Sequence, residues 1–587
     1  MQLIFYTALI SAALLLQANI PALLLYCALG LYYFLRLPRA PGNWNFPLVC
    51  GFCFCGFVLL YLPWAYDFSG ALREFLRYFF LFFLFLELGD PLKKTLAEKI
   101  LILVIGIAFL MGLGGIYQVF LDNEPMPLSW AATPGVEPLL KRAFGLFDNP
   151  NLFGTFLLIS AFSTTYFWLE KGQKYMSPLT GFLWFILVLT QSRGALIGAL
   201  ISLLVLLLLG SKKYRISLTL IVTLILAGFF ISGRASTLVV QDLGVNQRWE
   251  LIKGSLHMVK AHWLTGTSPG SFHLFYPEFR TVGGYYPLHV HNHFLETWLE
   301  LGISGALMLL CFWISLANFF LKSPGACWAF ALFLGISVNS MFNQSLSFFS
   351  IAACALIGLI VMAPNSSLDW RPLKKIWLVP FFLIAAFLFC EIQKMNFLRD
   401  FDGKLQLGPD QYPIYLRTDL YVVSQMIDRV LTRLELEGAD QSLGTLELCE
   451  KWLRPLLDRY SHEGEIPYLM HRIFRLRSQW RLAELMLNLA LERDPHSEKY
   501  AVGLMENHLH HGRFNEVIRL GEMSLKSNPG YRRINPWYDQ VQLLLFRAYL
   551  ASGNLDQLKK EIESAIWIDE NLGEQIRSNM LHSRHGL

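Results

Sequence analysis

The sequence predicts an all-α polytopic membrane protein of about 12–13 transmembrane helices, followed by a soluble α-helical repeat domain. Three observations support this fold class: repeated apolar runs, a change to polar composition after Glu391, and an internal repeat near the end of the chain. Hydrophobic residues make up 54% of the 587 residues and the mean hydropathy is +0.42, which is too apolar for a soluble protein. The net charge of +5 comes without a block of Lys or Arg, so nothing indicates nucleic-acid binding.

The membrane helices are predicted from apolar runs of about 17–22 residues, the length that crosses a bilayer. These runs lie near residues 3–18, 20–35, 46–62, 72–88, 99–120, 151–169, 177–191, 194–210, 214–232, 293–320, 325–342, 346–363 and 376–392. The first run lacks a basic start and a small-residue cleavage site, so we expect no cleaved signal peptide there.

The distribution of Lys and Arg between the connecting segments predicts the orientation in the membrane. One set of segments holds fourteen of these residues: Arg36, Arg39, Lys93, Lys94, Lys99, Lys171, Lys174, Lys212, Lys213, Arg215, Lys322, Arg371, Lys374 and Lys375. The opposite short segments hold four: Arg73, Lys141, Arg142 and Arg193. We therefore expect the first set in the cytoplasm, and the long polar loop 233–292 and the C-terminal region outside it.

Three domains follow from composition: a membrane domain over 1–393, a linker with irregular helices over 394–443, and an extracytoplasmic repeat domain over 444–587. The repeat has a period of 34 residues and resembles the tetratricopeptide repeat. Ser478, Trp480, Ala483, Leu487, Ala490 and Pro495 are matched by Gly512, Phe514, Val517, Gly521, Ser524 and Pro529, and a third unit contains Gly553, Leu555, Leu558, Ile562 and Ala565. Such units stack and leave a concave face for a protein partner.

Arg193 is the first candidate site residue, because it lies in Gln191-Ser192-Arg193-Gly194 between two apolar runs. Charged groups at membrane depth are costly and are functional candidates by default. A guanidinium there is suited to bidentate phosphate binding. The alternative is an interfacial positive charge that extends its side chain to the membrane surface.

A second motif precedes the helix predicted at 151–169 and contains Arg142, Asn149, Pro150 and Asn151. Capping by either Asn and the preference of Pro for the first turn explain part of this motif. Capping does not explain Arg142.

A third motif, Gln247-Arg248-Trp249 with Lys253, predicts an amphipathic helix in loop 233–292. The alternative is a membrane-surface helix that uses its tryptophans as anchors. The same loop carries Arg280, a further cation for an anionic substrate.

The fourth motif is His289-Val290-His291-Asn292-His293 at the end of the loop. Alternating histidines share a face if the segment is extended, but no further ligand stands at a usual zinc spacing, so we expect no metal. A neutral His acting as general base, or orienting a sugar hydroxyl, fits the motif better.

The order of these motifs resembles the O-antigen ligase/polymerase superfamily of bacterial membrane glycosyltransferases. The resemblance also includes a Gly-x-x-Pro-Gly-Ser-Phe segment from Gly266 and the Leu-Gly-Ile-Ser-Gly segment from Leu301. It implies a C-type glycosyltransferase fold in the bacterial cytoplasmic membrane, with no metal or other cofactor. It further implies transfer of a glycan from an undecaprenyl diphosphate carrier to an acceptor hydroxyl on a glycolipid, glycan or protein.

Carried over by motif position, Arg193 and Arg248 would hold the diphosphate and His291 would act on the acceptor hydroxyl. We expect the substrate to contact Arg142, Asn149, Asn151, Gln191, Lys253, Arg280 and Asn292.

Several alternatives stay open at the level of sequence. Ligation, repeat-unit polymerisation and protein O-glycosylation are not separated, and the repeat domain is similar to that of members which glycosylate proteins. A transporter would predict charged groups within the spans and internal repeats of the membrane portion. A membrane-anchored scaffold leaves Arg193, Arg248 and the histidines unexplained.

Overall fold

The protein is described by a computed structural model over residues 46–88, 93–122, 141–147, 149–231, 243–281, 287–323, 325–363, 392–401, 405, 408–411, 418–437, 443–527 and 536–566. The described residues form helices, turns and loops and contain no β-strand, which confirms the all-α fold class. The chain divides into two compact units. The first comprises Met1–Tyr276 and Pro287–Met395, and the second comprises Pro277–Tyr286 and Asn396–Leu587.

The apolar runs predicted between residues 46 and 363 all form helices, and two further helices lie in the long loop. They are α1 (Phe46–Tyr61), α2 (Phe68–Leu88), α3 (Lys94–Phe120), α4 (Pro150–Leu169), α5 (Met176–Leu189), α6 (Arg193–Leu209), α7 (Arg215–Ile231), α8 (Leu243–His262), α9 (Phe272–Phe279), α10 (His293–Lys322), α11 (Cys327–Ser340) and α12 (Phe349–Met362), of which α8 and α9 belong to the long loop. The predicted runs 3–18 and 20–35, and 376–392 except its last residue, lie outside the described residues.

Three of these helices, α3, α4 and α10, are long and apolar enough to cross a membrane, and α5, α6, α11 and α12 are shorter apolar helices. The protein is therefore a multi-pass membrane protein. Helix α4 lies at the centre of the unit, because its side chains are buried almost without a break from Pro150 to Phe167. A helix that is apolar on every side is expected to be surrounded by other helices.

Helices α6 and α11 pack with their backbones in close contact. A Cβ atom on Gly198 would lie 2.5 Å from the carbonyl oxygen of Gly335, and one on Gly335 would lie 1.9 Å from Ser202 Oγ. Small residues spaced by four allow this approach in membrane helices. The contact brings the first turn of α6, which begins at Arg193, to the end of α11.

Helix α10 is interrupted at Gly302, whose φ of 66° is left-handed. The loop after α8 fills the gap, since the backbone amides of Thr267 and Ser268 donate to the carbonyls of Leu299 and Glu300, both at 2.9 Å. A Cβ on Gly302 would lie 2.2 Å from Leu264 O, so only Gly fits this approach. The Gly-x-x-Pro-Gly and Leu-Gly-Ile-Ser-Gly motifs are thus two sides of one contact.

The second unit is built from helix pairs. Its helices are α13 (Leu420–Glu437), α14 (Leu443–Arg459), α15 (Glu465–Leu476), α16 (Trp480–Arg493), α17 (Glu498–His510), α18 (Phe514–Ser527), α19 (Pro536–Ala551) and α20 (Leu555–Ile566). Within the last three pairs, the turn contains a residue of positive φ: Ser478 at 57°, Gly512 at 68° and Gly553 at 74°. The predicted 34-residue repeat places these three small residues at equivalent positions. The second unit is called the repeat unit below. The segment predicted as linker and irregular helices contains α13.

Candidate functional site

The turn between α5 and α6 presents Gln191, Ser192 and Arg193 at one end of the helix bundle. Gln191 is buried and has a φ of 51°, an unfavourable region for a residue with a side chain. A Cβ on Gly154 would lie 2.7 Å from Ser192 Cβ, and one on Gly194 would lie 2.4 Å from Asn343 Nδ2. The two glycines therefore let α4 and the end of α11 close around the turn.

Arg142 joins this turn to the start of α4. Its Nε donates to the Thr190 carbonyl oxygen at 3.0 Å and its Nη2 donates to Asn151 Oδ1 at 3.0 Å. Asn149 caps α4 by accepting from the Asn151 amide at 2.8 Å, and Pro150 is the first residue of the helix, as the sequence predicts. The structure thus brings four predicted site residues to the turn that carries Arg193: Arg142, Asn149, Asn151 and Gln191.

Side-chain amides at and after the end of α11, which the sequence analysis missed, contact both α4 and His293. Asn343 Nδ2 donates to Asn339 Oδ1 at 2.8 Å, and Asn339 Nδ2 donates to Thr155 Oγ1 at 2.9 Å. Gln344 Nε2 lies 3.3 Å from His293 Nδ1. The available signal was three amide side chains at the end of an apolar run, where unpaired polar groups are costly.

The histidine segment is an irregular loop that ends at the start of α10. Asn292 caps α10 by accepting from the amides of Phe294 and Leu295 at 3.1 and 3.0 Å. His293 is the first helical residue and is buried, whereas His291 has a φ of 58°. The three histidines therefore do not share one face.

Glu296, on the first turn of α10, shapes this loop and was also missed. One carboxylate oxygen lies 2.8 Å from His289 Nδ1, and the other accepts from the Val290 amide at 2.8 Å. A single carboxylate therefore holds the two residues before His291. The sequence signal was a Glu within the first turn after an Asn cap.

Arg248 and His291 are close enough for their charges to interact. Burial, the positive charge of Arg248 and that of His289 together lower the pKa of His291 to about 3, so this imidazole is neutral at pH 7. Burial also lowers the pKa of His289, but the Glu296 carboxylate outweighs it and raises that pKa above its usual value. His273, on α9, has a pKa lowered to about 4 by burial and by His289.

Residues 178–310 of the chain match the family model described as O-antigen ligase. This match supports the O-antigen ligase/polymerase superfamily for that part of the chain. None of the curated proteins matches it. The matched O-antigen ligase region contains Arg193, Arg248 and His291, the three residues carried over from the resemblance. The match supports a glycosyltransferase-like enzyme with an O-antigen ligase or polymerase type of function.

Two predicted cations have side-chain partners of their own. Lys253 follows Arg248 on α8, contacts Glu250 at 2.8 Å, and lies 5.7 Å from the centre of the Trp249 ring. Arg280 belongs to the second unit, where its guanidinium contacts Asp494 at 2.6 Å. Lys253 therefore lies near Arg248 on α8, whereas Arg280 is ion-paired within the second unit.

A buried ion pair in α2 was not predicted. Arg77 Nη2 lies 2.5 Å from Glu74 Oε2, and the Arg77 guanidinium lies over the Tyr78 ring, 4.5 Å from its centre.

Among the described residues, no three His, Cys, Asp or Glu side chains are grouped as metal ligands. The expectation of a metal-free site stays a prediction.

Proposed function

We propose that this protein transfers a glycan from an undecaprenyl diphosphate carrier to an acceptor hydroxyl at the outer face of the bacterial cytoplasmic membrane. The family match over residues 178–310 carries the proposal, because it includes the two arginines and the histidine that this chemistry needs. The acceptor oxygen forms a bond to the anomeric carbon while the bond from that carbon to the diphosphate breaks. The electron pair leaves with the diphosphate, and the acceptor proton passes to the base.

Arg193 and Arg248 are proposed to hold the diphosphate. Negative charge develops on the leaving oxygen, and fixed donors at that position stabilise the transition state by about 3 kcal/mol each. Arg142, Asn149, Asn151 and Gln191 lie at or beside the turn that carries Arg193 and are proposed to complete the donor site, whereas Lys253 and Asn292 lie on the Arg248 and His291 side.

His291 is proposed to accept the acceptor proton. Its lowered pKa keeps the imidazole unprotonated, as a base must be, but also makes it a weak base. The charge of Arg248 is one cause of that low pKa. A diphosphate bound at Arg248 would offset this charge and raise the pKa of His291, so donor binding would strengthen the base.

An apolar cleft supports a lipid-linked donor. It is bounded by α1, α2, α10, α11 and α12, and on α10 it is lined by His293 and by residues between Leu309 and Phe320. Tyr78 also lines it, and Lys94 and Ala363 lie with Phe320 at its far end. An isoprenoid chain in this cleft would place its diphosphate beside the histidine loop.

Purified protein in nanodiscs, supplied with an undecaprenyl-diphosphate-linked glycan and candidate acceptors, tests the proposal. We expect product formation that persists after prolonged treatment with a chelator, because the arginines balance the diphosphate charge. Loss of transfer on chelation, with recovery on adding a divalent ion, would contradict the metal-free mechanism. Absence of transfer to glycolipid, glycan and protein acceptors alike would contradict the function itself.

The product distribution separates ligation, polymerisation and protein O-glycosylation. A ligase joins one preformed glycan to each acceptor, a polymerase yields a ladder of repeat units, and a protein glycosyltransferase modifies only protein. We favour ligation, and a ladder in the reconstituted reaction would replace it by polymerisation.

The proposed orientation places loop 233–292 and the repeat domain outside the cytoplasm, on the basis of the Lys and Arg distribution. A reporter that is active only in the cytoplasm, fused after Leu587, should therefore be inactive. Strong reporter activity would contradict this orientation without affecting the proposed chemistry.

A further inference from the structure

Arg280 is held by a buried ion pair within the second unit. Its Nε and Nη2 atoms lie 2.8 and 2.6 Å from Asp494 Oδ1, and the side chains of Arg280 and Asp494 are 1% and 5% exposed. A charge at such depth is retained only with a partner, since removing either one leaves the other buried and uncompensated.

Two turns of the repeat unit surround this pair. Asp494 ends α16, and the neighbouring Arg493 donates to the carbonyls of Tyr460 and Glu463 at 3.3 and 3.0 Å. The turn after α14 is thereby tied to the turn after α16. Burial and the positive charge of Arg280 both lower the pKa of His496, which places His496 beside the guanidinium.

A second contact lies two residues earlier in the chain. Glu278 Oε2 is 2.7 Å from His462 Nδ1, and both side chains are about one third exposed. Glu278 and Arg280 thus present opposite charges to complementary partners, His462 and Asp494. Two matched contacts hold this segment more specifically than the buried pair alone.

Both loop residues belong to Pro277–Tyr286, a part of the long loop that is assigned to the second unit. The remaining described loop residues, including Arg248 and His291, belong to the first unit, and His291 follows Arg280 by eleven positions. We propose that the repeat unit positions the catalytic loop through Arg280 and Asp494, so that Arg280 is a positioning residue and not a substrate contact. This inference rests on the proposed function, because it treats the loop as catalytic.

Hydrogen exchange in the full-length protein in nanodiscs tests the inference independently of activity. We expect Arg280→Ala and Asp494→Ala to raise amide exchange in residues 287–292 by about tenfold or more, because a buried pair is strongly coupled. The double variant should be no worse than either single variant. Glu450→Ala is the matched control, since Glu450 contacts Arg477 at 2.6 Å in the same unit, with side chains 16% and 11% exposed.

Kinetics of transfer supply the second measurement. Each single variant should lower kcat about tenfold with the donor KM within twofold, since a displaced base affects chemistry more than donor binding. Arg280→Lys, which retains one charged contact to Asp494, should recover part of the loss. If Asp494→Ala does not fold, Arg280→Ala and Glu278→Gln test the same contacts from the loop side.

Each outcome decides the inference. Equal exchange in residues 287–292 for the Asp494→Ala and Glu450→Ala proteins would overturn it, because the pair would then only stabilise the repeat unit. Raised exchange in residues 287–292, together with a lower kcat at an unchanged donor KM, supports the inference. If the wild-type protein shows no transfer at all but the variants still raise exchange in residues 287–292, the proposed function is refuted. The role of Arg280 and Asp494 in positioning the loop would still hold.

Discussion

Two regions of the molecule use the same left-handed backbone conformation in different ways. One is the α5–α6 turn with the histidine loop, and the other is the set of turns in the repeat unit. In the repeat unit the positive φ falls on Ser478, Gly512 and Gly553, all small residues. In the α5–α6 turn and the histidine loop it falls on Gln191 and His291. A left-handed residue with a Cβ atom costs roughly 1 kcal/mol, and Gly avoids that cost.

The difference teaches which side chains the fold itself needs. A repeat turn takes the residue that its backbone prefers, so its sequence reports structure. Gln191 and His291 keep larger side chains where Gly would be favoured, and such strain persists when the side chain serves another purpose. Replacing these residues by Gly therefore separates the role of the side chain from the needs of the backbone.

The largest expected effect is that of His291→Gly. The variant should lose transfer by about 10²–10⁴-fold, the usual contribution of a positioned base, while its thermal stability stays equal or rises because the strain is relieved. Transfer assays and melting curves on the same preparation measure both quantities. His291→Ala should behave alike in transfer, and His289→Ala and His293→Ala should be milder. Full activity of His291→Gly would show that His291 is not the base and serves only the backbone turn.

Arg193→Lys and Arg248→Lys come next. Lys retains the positive charge and loses the planar pair of donors, so we expect about 10²-fold slower transfer with normal insertion. Arg519→Lys, at an exposed position of the repeat unit, is the control and should be silent. Wild-type rates in both variants would make these arginines topological features rather than diphosphate ligands.

Gln191→Gly should have an intermediate effect. Loss of one side-chain contact to an anionic substrate corresponds to about tenfold in kcat/KM, whereas the turn itself becomes easier to form. Measurement of kcat/KM beside the melting temperature distinguishes the two contributions. Unchanged kcat/KM with higher stability would show that the Gln191 side chain has no role in transfer and that the position serves only the turn.

A pH effect of a few fold is expected from His289. Its pKa is raised, so the ion pair with Glu296 is fully formed below pH 6.5 and is lost as pH rises through the raised value. Glu74 also favours the protonated form and Arg77 opposes it. Transfer should therefore decline on the alkaline side, and Glu296→Gln should lower the rate and flatten that decline. An identical alkaline profile in the Glu296→Gln protein would contradict this role.

Ser478→Gly should have the smallest effect. The repeat unit should gain up to about 1 kcal/mol of stability, because Gly tolerates the left-handed turn, and transfer should not change. Denaturant unfolding of the full-length protein, read from a label in the repeat unit, measures the gain. Destabilisation would show that the Ser478 side chain has a structural role that the comparison misses.

Sequence reasoning was most successful where periodicity and length decide structure. The apolar helices between residues 46 and 363 follow from apolar runs, which depend on neighbouring residues alone. The 34-residue repeat stays a prediction. The cap at Asn149 was also predictable, because capping is local. The domain boundaries predicted at 393 and 443, the assignment of individual roles at the site and the acceptor remain predictions.

The sequence by itself determined the fold class, the multi-pass character and the resemblance to the O-antigen ligase/polymerase superfamily, since composition, periodicity and motif order express these directly. Only the tertiary structure decided that Arg142 bonds to Thr190 and Asn151, that Glu296 holds the residues before His291, and that Arg280 lies with Asp494. Each of these contacts joins segments whose approach depends on packing. The partner of a buried charge is chosen by which elements meet, and a linear sequence does not contain that geometry.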